Sequence, residues 1–167
     1  MIKFSNVQLG YGRKPVLTAI NFEIQKGDFF GIVGPNGAGK TTLLKAILGL
    51  LKPLKGEISF LNNGRGRRKS IGYVPQHASV DEIFPVTTLE MVLMGRYAKM
   101  GIFKRPKSMD YKIAEKMLKN VGMENFAKRN YRELSGGQKQ RTLIARAMVG
   151  EPNILILDEP VEGMDIQ

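Results

Sequence analysis

Nine residues constrain this chain more than any other stretch: Gly34-Pro35-Asn36-Gly37-Ala38-Gly39-Lys40-Thr41-Thr42. They fit G-x-x-x-x-G-K-[ST] at every fixed position. The apolar run from Phe29 to Val33 ahead of them has the length of a buried strand. Behind them, Leu43, Leu44, Ala46, Ile47 and Leu48 follow helical spacing up to the breakers Gly49 and Pro53. The expected order is strand, glycine loop, helix. Glycines let successive backbone N–H groups turn inward around a polyphosphate with no Cβ in the way. The helix start aims its positive dipole end at the same anion. Lys40 is placed to reach β- and γ-phosphates, the Thr41 hydroxyl to ligate Mg²⁺, and the Thr42 hydroxyl to bond an inner phosphate. A glycine turn that merely caps a helix is the bland alternative, and the strand and helix flanks speak against it. The stretch predicts nucleoside triphosphate binding.

The remaining segments read as an α/β chain with an insertion. Strands are expected over residues 2–9 and 16–24, the second with Val16, Ile20, Phe22 and Ile24 on one face. Tyr11 sits in the glycine-flanked turn between them, where its ring either packs or stacks on a base. Two more strands, 57–61 and 71–74, flank a basic turn holding Arg65, Arg67, Arg68 and Lys69. Residues 77–134 read as a helical insertion. Thr87 and Glu90 form a capping box ahead of a helix through Met94 or Tyr97. A second helix, 108–121, puts Ile113, Ala114, Met117, Leu118 and Val121 on one face and stops at Gly122. Ser135 caps a further helix whose buried stripe is Leu143, Ile144, Ala147 and Met148. Ile154 to Leu157 is a buried strand ending in Asp158 and Glu159. An apolar strand closed by two carboxylates suits a phosphate loop: Asp158 holds Mg²⁺ through water, and Glu159 orients and deprotonates the attacking water. The expected organisation is 1–76, a β portion with the phosphate loop; 77–134, the helical portion; and 135–167, the capped helix with its strand and the loop beyond.

Composition narrows the class. With 167 residues, 43% hydrophobic and 25% charged, the chain has the make-up of a soluble globular domain with a proper core. No cysteine is present, so disulfide and thiolate-metal frameworks are excluded. No apolar run approaches the roughly 18 residues of a membrane span, and the N-terminus has no signal-peptide core. The formal charge of +11 leaves open nucleic acid, an anionic membrane surface, or a plain solvated face. A second basic cluster is Lys104, Arg105 and Lys107; neither cluster is interleaved with aromatics as a strand-stacking platform would be.

Four motifs in order then resemble one family: the phosphate loop at 34–41, Gln76 after a short strand, Leu134-Ser135-Gly136-Gly137-Gln138, and the apolar-Asp-Glu run at 154–159. Together they resemble the nucleotide-binding subunit of an ATP-binding cassette (ABC) transporter. The short spacing from Lys40 to Ser135 is that of transporter subunits; chromosome-maintenance and DNA-repair relatives carry far longer insertions. The resemblance implies a P-loop NTPase (RecA-like) α/β core with an antiparallel β subdomain and a helical subdomain, binding ATP and Mg²⁺. It implies that Tyr11 stacks on adenine and that Gly34 to Thr42 hold the phosphates. It also implies that Gln76 touches the Mg²⁺ or attacking water and senses the membrane partner. Ser135, Gly136, Gly137 and Gln138 would close on ATP bound to a second subunit. Asp158 would be the metal carboxylate, Glu159 the general base, and Asp165 part of a loop crossing the dimer seam. The implied partners are a second copy, transmembrane permease subunits and a solute-binding protein, with no nucleic acid, at the cytoplasmic face of the cell membrane.

A narrower likeness, in Ser79-Val80-Asp81, Phe84-Pro85-Val86-Thr87 and Met94-Gly95-Arg96-Tyr97, is to subunits that energise manganese, zinc or iron uptake. Such an ATPase does not itself hold the transported metal, and His77, the sole histidine, reads as a surface contact. The family continues with another strand and a histidine that contacts the γ-phosphate. The sequence stops at Gln167, so weak catalysis and an unpaired sheet edge are expected of it. Two rival readings stand beside the transporter subunit: a soluble ABC-type ATPase acting on nucleic acid or ribosomes, and a truncated, non-catalytic nucleotide-binding fragment.

Overall fold

A computed structural model of the chain describes residues 2–60, 70–76, 85–101 and 104–158. These fall into two compact units, Met1–Lys69 and Ser70–Gln167.

In the first unit, β1 (Ile2–Tyr11), β2 (Lys14–Ile24) and β3 (Lys55–Phe60) form an antiparallel sheet in the order β2-β1-β3. Alternation along β1 buries Ile2, Phe4, Val7 and Leu9, which with Leu43, Leu44, Ala46 and Ile47 of helix α1 (Lys40–Ile47) form the buried apolar set among the described residues of this unit. The β1–β2 ladder slips between Phe4 and Val7, between Val7 and Leu9, and again between Leu9 and Gly10. Asn6 and Ala19 take positive φ at the first two slips, and the Asn21 side chain ties them together, accepting from the Asn6 N–H at 2.7 Å and donating to the Ala19 carbonyl at 3.0 Å. Each extra residue moves the following side chain to the other face of the strand. The expected face of β2 is corrected on that ground: Val16 is 44% exposed, and Leu17, opposite Leu9, takes the inward place.

The expected strand at Phe29–Val33 is also corrected. It belongs to no ladder, and Phe29 and Val33 are exposed. Ile32 is half-buried, and Phe30, though 48% exposed, stacks on Phe22 at 5.2 Å, which stacks in turn on Phe4 at 4.3 Å. An apolar run expresses a demand for cover; a strand also needs a neighbour to receive its N–H and C=O groups. None of the described strands pairs with this run.

The second unit is built around α2 (Thr88–Leu93), α4 (Ser108–Asn120) and α5 (Gly136–Met148), with the short α3 (Tyr97–Met100) between the first two. A parallel pair, β4 (Ile71–Val74) and β5 (Ile154–Leu157), completes it. The capping box at Thr87 and Glu90 forms as expected, and Glu90 is held below the usual carboxylate range chiefly by the Thr87 N–H. Val74, Met91, Val92, Ala114, Leu118, Met123, Leu143, Ala145 and Val149 are among the residues that close the core. The α5 stripe is shifted from expectation: Thr142, Leu143 and Ala145 are buried, Ile144 and Ala147 are partly so, and Met148 is 36% exposed. Thr142 could be spared for the core because its hydroxyl donates to the Gln138 carbonyl one turn back, at 2.8 Å.

Two glycines allow close approach to the end of α5. A Cβ on Gly72 would meet the Ala147 carbonyl, and one on Gly95 would collide with the Arg146 carbonyl and the Val149 side chain. Arg96 holds the same junction: it donates twice to Asp110, at 3.1 and 2.9 Å, and once to the Val149 carbonyl at 3.3 Å. Asp110 in turn accepts from the Lys107 N–H at the start of α4, so one carboxylate serves both a helix start and the link between helices.

Candidate functional site: two groups of nucleotide-site residues

In the first unit, the phosphate loop has the backbone its glycines make possible. Gly37 and Gly39 take φ of 81° and 89°, left-handed values that favour glycine, and Gly39 leads directly into α1. The Leu43 N–H donates to the Gly39 carbonyl at 2.9 Å, so the helix ladder begins at the loop's last residue. Lys40, half-buried, curls back along the loop and donates to the carbonyls of Gly34 at 2.9 Å and Pro35 at 3.2 Å. Its ammonium is thus held by two backbone carbonyls, neutral acceptors that an incoming anion can replace. Thr41 is exposed at the helix start, and Thr42 is buried.

Tyr11 ends β1 beside this helix. Its hydroxyl lies 3.4 Å from the Lys45 ammonium, which stands 5.7 Å from the ring centre. A hydrogen bond to Thr42, then the Lys45 ammonium, holds the Tyr11 phenol below its ordinary range. The ring is 50% exposed and tethered by its hydroxyl end, leaving ring surface accessible next to the phosphate loop. Sequence reading missed Lys45; its only signal is its place one turn past Thr41 on the exposed side of α1.

The second unit carries the other motifs. Ser135 caps α5 as expected: its hydroxyl accepts from the Gln138 N–H at 3.4 Å, and the Gln138 side chain accepts from the Ser135 N–H at 3.0 Å. Gln138 is therefore engaged in holding the cap. A Cβ added to Gly136 or Gly137 would meet nothing within 4 Å, so both backbones lie open at the helix start.

Asp158 follows β5, its N–H donating to the Val74 carbonyl at 3.0 Å in continuation of the parallel ladder. Its carboxylate accepts a hydrogen bond at 3.2 Å from the Tyr73 hydroxyl. Burial first, then the Asp158 charge, push the Tyr73 phenol above its ordinary value, so it stays protonated and donates. Tyr73 was missed by sequence reading; an aromatic on the strand paired with an acid-terminated strand was the available signal. Gln76 is half-buried just beyond β4. A shallow cleft of about 310 Å³ opens beside Tyr73, lined by Ile71, Gly72, Met94, Gly95, Arg146 and Ala147. Glu159, Asp165, His77 and the Ser79–Phe84 wording lie outside the described residues.

The donor chemistry suits Mg²⁺. Each unit, taken by itself, carries a hard oxygen donor of the kind Mg²⁺ takes, the Thr41 hydroxyl in the first and the Asp158 carboxylate in the second. Among the described residues no group of three or more His, Cys, Asp or Glu side chains could hold a metal ion. When bound, Mg²⁺ would supply charge neutralisation of the phosphate oxygens.

A left-handed glycine loop opening a helix with a folded-back lysine defines a phosphate-loop nucleotide-binding protein. Residues 17–162 match the ABC transporter family, and the chain belongs to it. It is 47% identical to the manganese transport system ATP-binding protein MntB of Bacillus subtilis, over 98% of this chain and 66% of that protein. It is 44% identical to the high-affinity zinc uptake system ATP-binding protein ZnuC of the same organism, over 99% of this chain and 72% of that one. The chain thus spans about two thirds of the length of these curated relatives. Among solved structures, a dimeric post-hydrolysis state of the ATP-binding cassette MJ0796 bound to ADP and Pi superposes with a TM-score of 0.79 at 32% identity, covering 99% of this chain and 77% of that one. CbiO1 from Clostridium perfringens, part of the transporter complex cbiONQ, gives 0.82 at 34% identity, covering 98% and 67%. The fold class expected from the motifs, an ABC-type α/β ATPase domain, is the one these neighbours have.

Proposed function

We propose that the chain is the ATP-binding and hydrolysing part of a metal-ion importer, taking manganese or zinc through a membrane partner. Gly34 to Thr42 hold the triphosphate and Tyr11 offers its ring to adenine; the Thr41 hydroxyl and the Asp158 carboxylate would each serve as a Mg²⁺ ligand. Gln76 contacts the metal or the attacking water. Glu159 takes the proton of that water as it attacks the γ-phosphorus and the bond to the β–γ bridging oxygen breaks; ADP leaves with the bond's electron pair. The three stretches 1–76, 77–134 and 135–167 correspond in this reading to nucleotide grip, partner sensing, and the surface presented to a second copy.

The observation that carries the dimer is the open start of α5. Gly136 and Gly137 place no side chain at the start of α5 and have open space where a Cβ would stand, and a helix start of this kind is a ready anion site. In this reading the anion is the γ-phosphate on the second copy, and ATP binding closes the pair. The cleft beside Tyr73, with Met94 and Tyr97 exposed nearby, is the face offered to the permease. The protein works at the cytoplasmic face of the membrane, held there by its partner; among the described residues no helix is long and apolar enough to cross a membrane.

The test is ATP binding and steady-state hydrolysis by the 167-residue chain beside E159Q. Binding by both, with turnover lost only in the variant, is the expected result. Binding with both equally silent would refute the hydrolytic role of this chain, and no binding would refute the reading altogether.

A further inference from the structure

We propose that the outer face of α4 and the basic segment entering it form a contact for anionic lipid headgroups. This rests on the peripheral membrane location proposed above. At about 100° per residue, Met109, Lys112, Lys116 and Lys119 fall in one stripe, opposite the stripe of Asp110, Ala114 and Leu118 that is buried in the core. All four are exposed, Met109 by 65%. Lys104 and Arg105, also exposed, precede the helix. Among the described residues none of these five cations makes an ion pair.

The helix's own charges do not account for them. Of its two acids, Asp110 is taken by Arg96 and the Lys107 N–H. Glu115 is exposed to one side of the stripe and makes no ion pair. Cations placed just before a helix N-terminus oppose its dipole, so Lys104 and Arg105 sit where α4 gains nothing from them. A stripe of lysines around one protruding thioether matches a surface that is negative outside and apolar beneath: the ammonium groups meet headgroup phosphates and Met109 enters the interfacial layer. Nucleic acid would suit the charge but would be expected to stack on an aromatic, and Tyr111 lies outside the stripe. With a few cations and one apolar side chain, the contact is weak and reversible; it would orient a subunit that its permease already holds.

The test is co-sedimentation of the full chain with vesicles, phosphatidylcholine alone or with added phosphatidylglycerol, at low and high salt. Each cation is worth about fivefold in partitioning near an anionic surface. The triple variant K112E/K116E/K119E should therefore lose at least about tenfold in binding to anionic vesicles. A charge-matched control, K3E/K14E/K26E at exposed lysines of the first unit, should bind as the parent does. The neutral set K112Q/K116Q/K119Q should lose less than the acidic one, and thermal melts confirm that each variant is folded. Equal loss in the control would overturn the proposal in favour of bulk charge. Salt-insensitive binding, or equal binding to neutral vesicles, would also overturn it. Tighter binding to a single-stranded RNA that the triple variant loses would assign the face to nucleic acid instead. ATP affinity is measured in parallel: a parent that binds ATP but not anionic vesicles fails this proposal alone, whereas a parent that does not bind ATP fails the functional reading beneath it.

Discussion

Replacing Gly136 and Gly137 with alanine separates what the chain needs from what a partner needs. Neither residue takes a positive φ, and a Cβ at either position meets nothing within 4 Å. Folding therefore has no steric reason to keep them glycine. Alanine lowers the entropy of the unfolded chain and suits a helix better, a gain of about 0.4–1 kcal/mol per site. Both lie in the first turn of α5, where the intrahelical ladder is incomplete, so the low end of that range applies: about 0.5 kcal/mol each and about 1 kcal/mol for the pair. For a unit of this size, 1 kcal/mol raises the melting temperature by about 4–8 °C. G136A, G137A and the double variant should thus melt higher than the parent by differential scanning calorimetry.

The same methyl groups would occupy the open space at the helix start, where the proposed reading seats the second nucleotide. In an E159Q background, which holds ATP without turnover in the proposed mechanism, ATP-dependent dimerisation measured by sedimentation velocity should fall by tenfold or more, since one carbon in the path of a phosphate contact forfeits about 1.4 kcal/mol or more. A lower melting temperature in either single variant would refute the packing argument. A higher one with unchanged dimerisation would refute the assignment of this surface to a second nucleotide.

Three further outcomes follow from the second unit. Y73F removes the hydrogen bond to Asp158 and should raise the Mg²⁺ needed for half-maximal nucleotide binding by about threefold to tenfold, leaving metal-free ATP affinity unchanged, as read by fluorescence titration. G95A should destabilise the chain despite its better helix propensity: overpacking against the Arg146 carbonyl costs about 1–3 kcal/mol, against a propensity gain of at most about 1. A lowered urea midpoint checks it. Asp110 is held below the usual carboxylate range by the Lys107 N–H and then by Arg96. Its folded pKa lies below the unfolded value of about 3.9, so the stability it contributes is present above that value and lost as pH falls through the folded one. Urea midpoints taken from pH 7 downward should fall less steeply in D110N than in the parent, and equal slopes would contradict the linkage.

The parts of the site legible in the sequence were those whose chemistry is local. The phosphate loop, the Thr87 and Ser135 caps and the stop at Gly122 each need only a few neighbouring residues, and each stands where its wording placed it. What escaped reading depends on distant partners. Val16 and Leu17 exchange faces because bulges in β1 and β2 shift the alternation, and no residue type in β2 announces them. Phe29 to Val33 has the composition of a central strand, but composition cannot supply the strand that must lie alongside. Tyr73 and Asp158 are far apart in sequence and meet only because β4 and β5 run in parallel register.

Glycine illustrates why both kinds of reading are needed. Gly37 and Gly39 are explained from within: their left-handed φ favours glycine, and the loop that results is the binding surface. Gly72 and Gly95 are also explained from within, by carbonyls of α5 that leave no room for a Cβ. Gly136 and Gly137 satisfy neither condition. They take ordinary backbone angles in open space, at a helix start that alanine would favour, so the fold itself gives no reason for glycine there, and in the proposed reading the reason is the second nucleotide. In a sequence all six are the same letter; the difference between a residue the fold requires and one a partner requires emerges only when conformation and surrounding space are weighed against propensity.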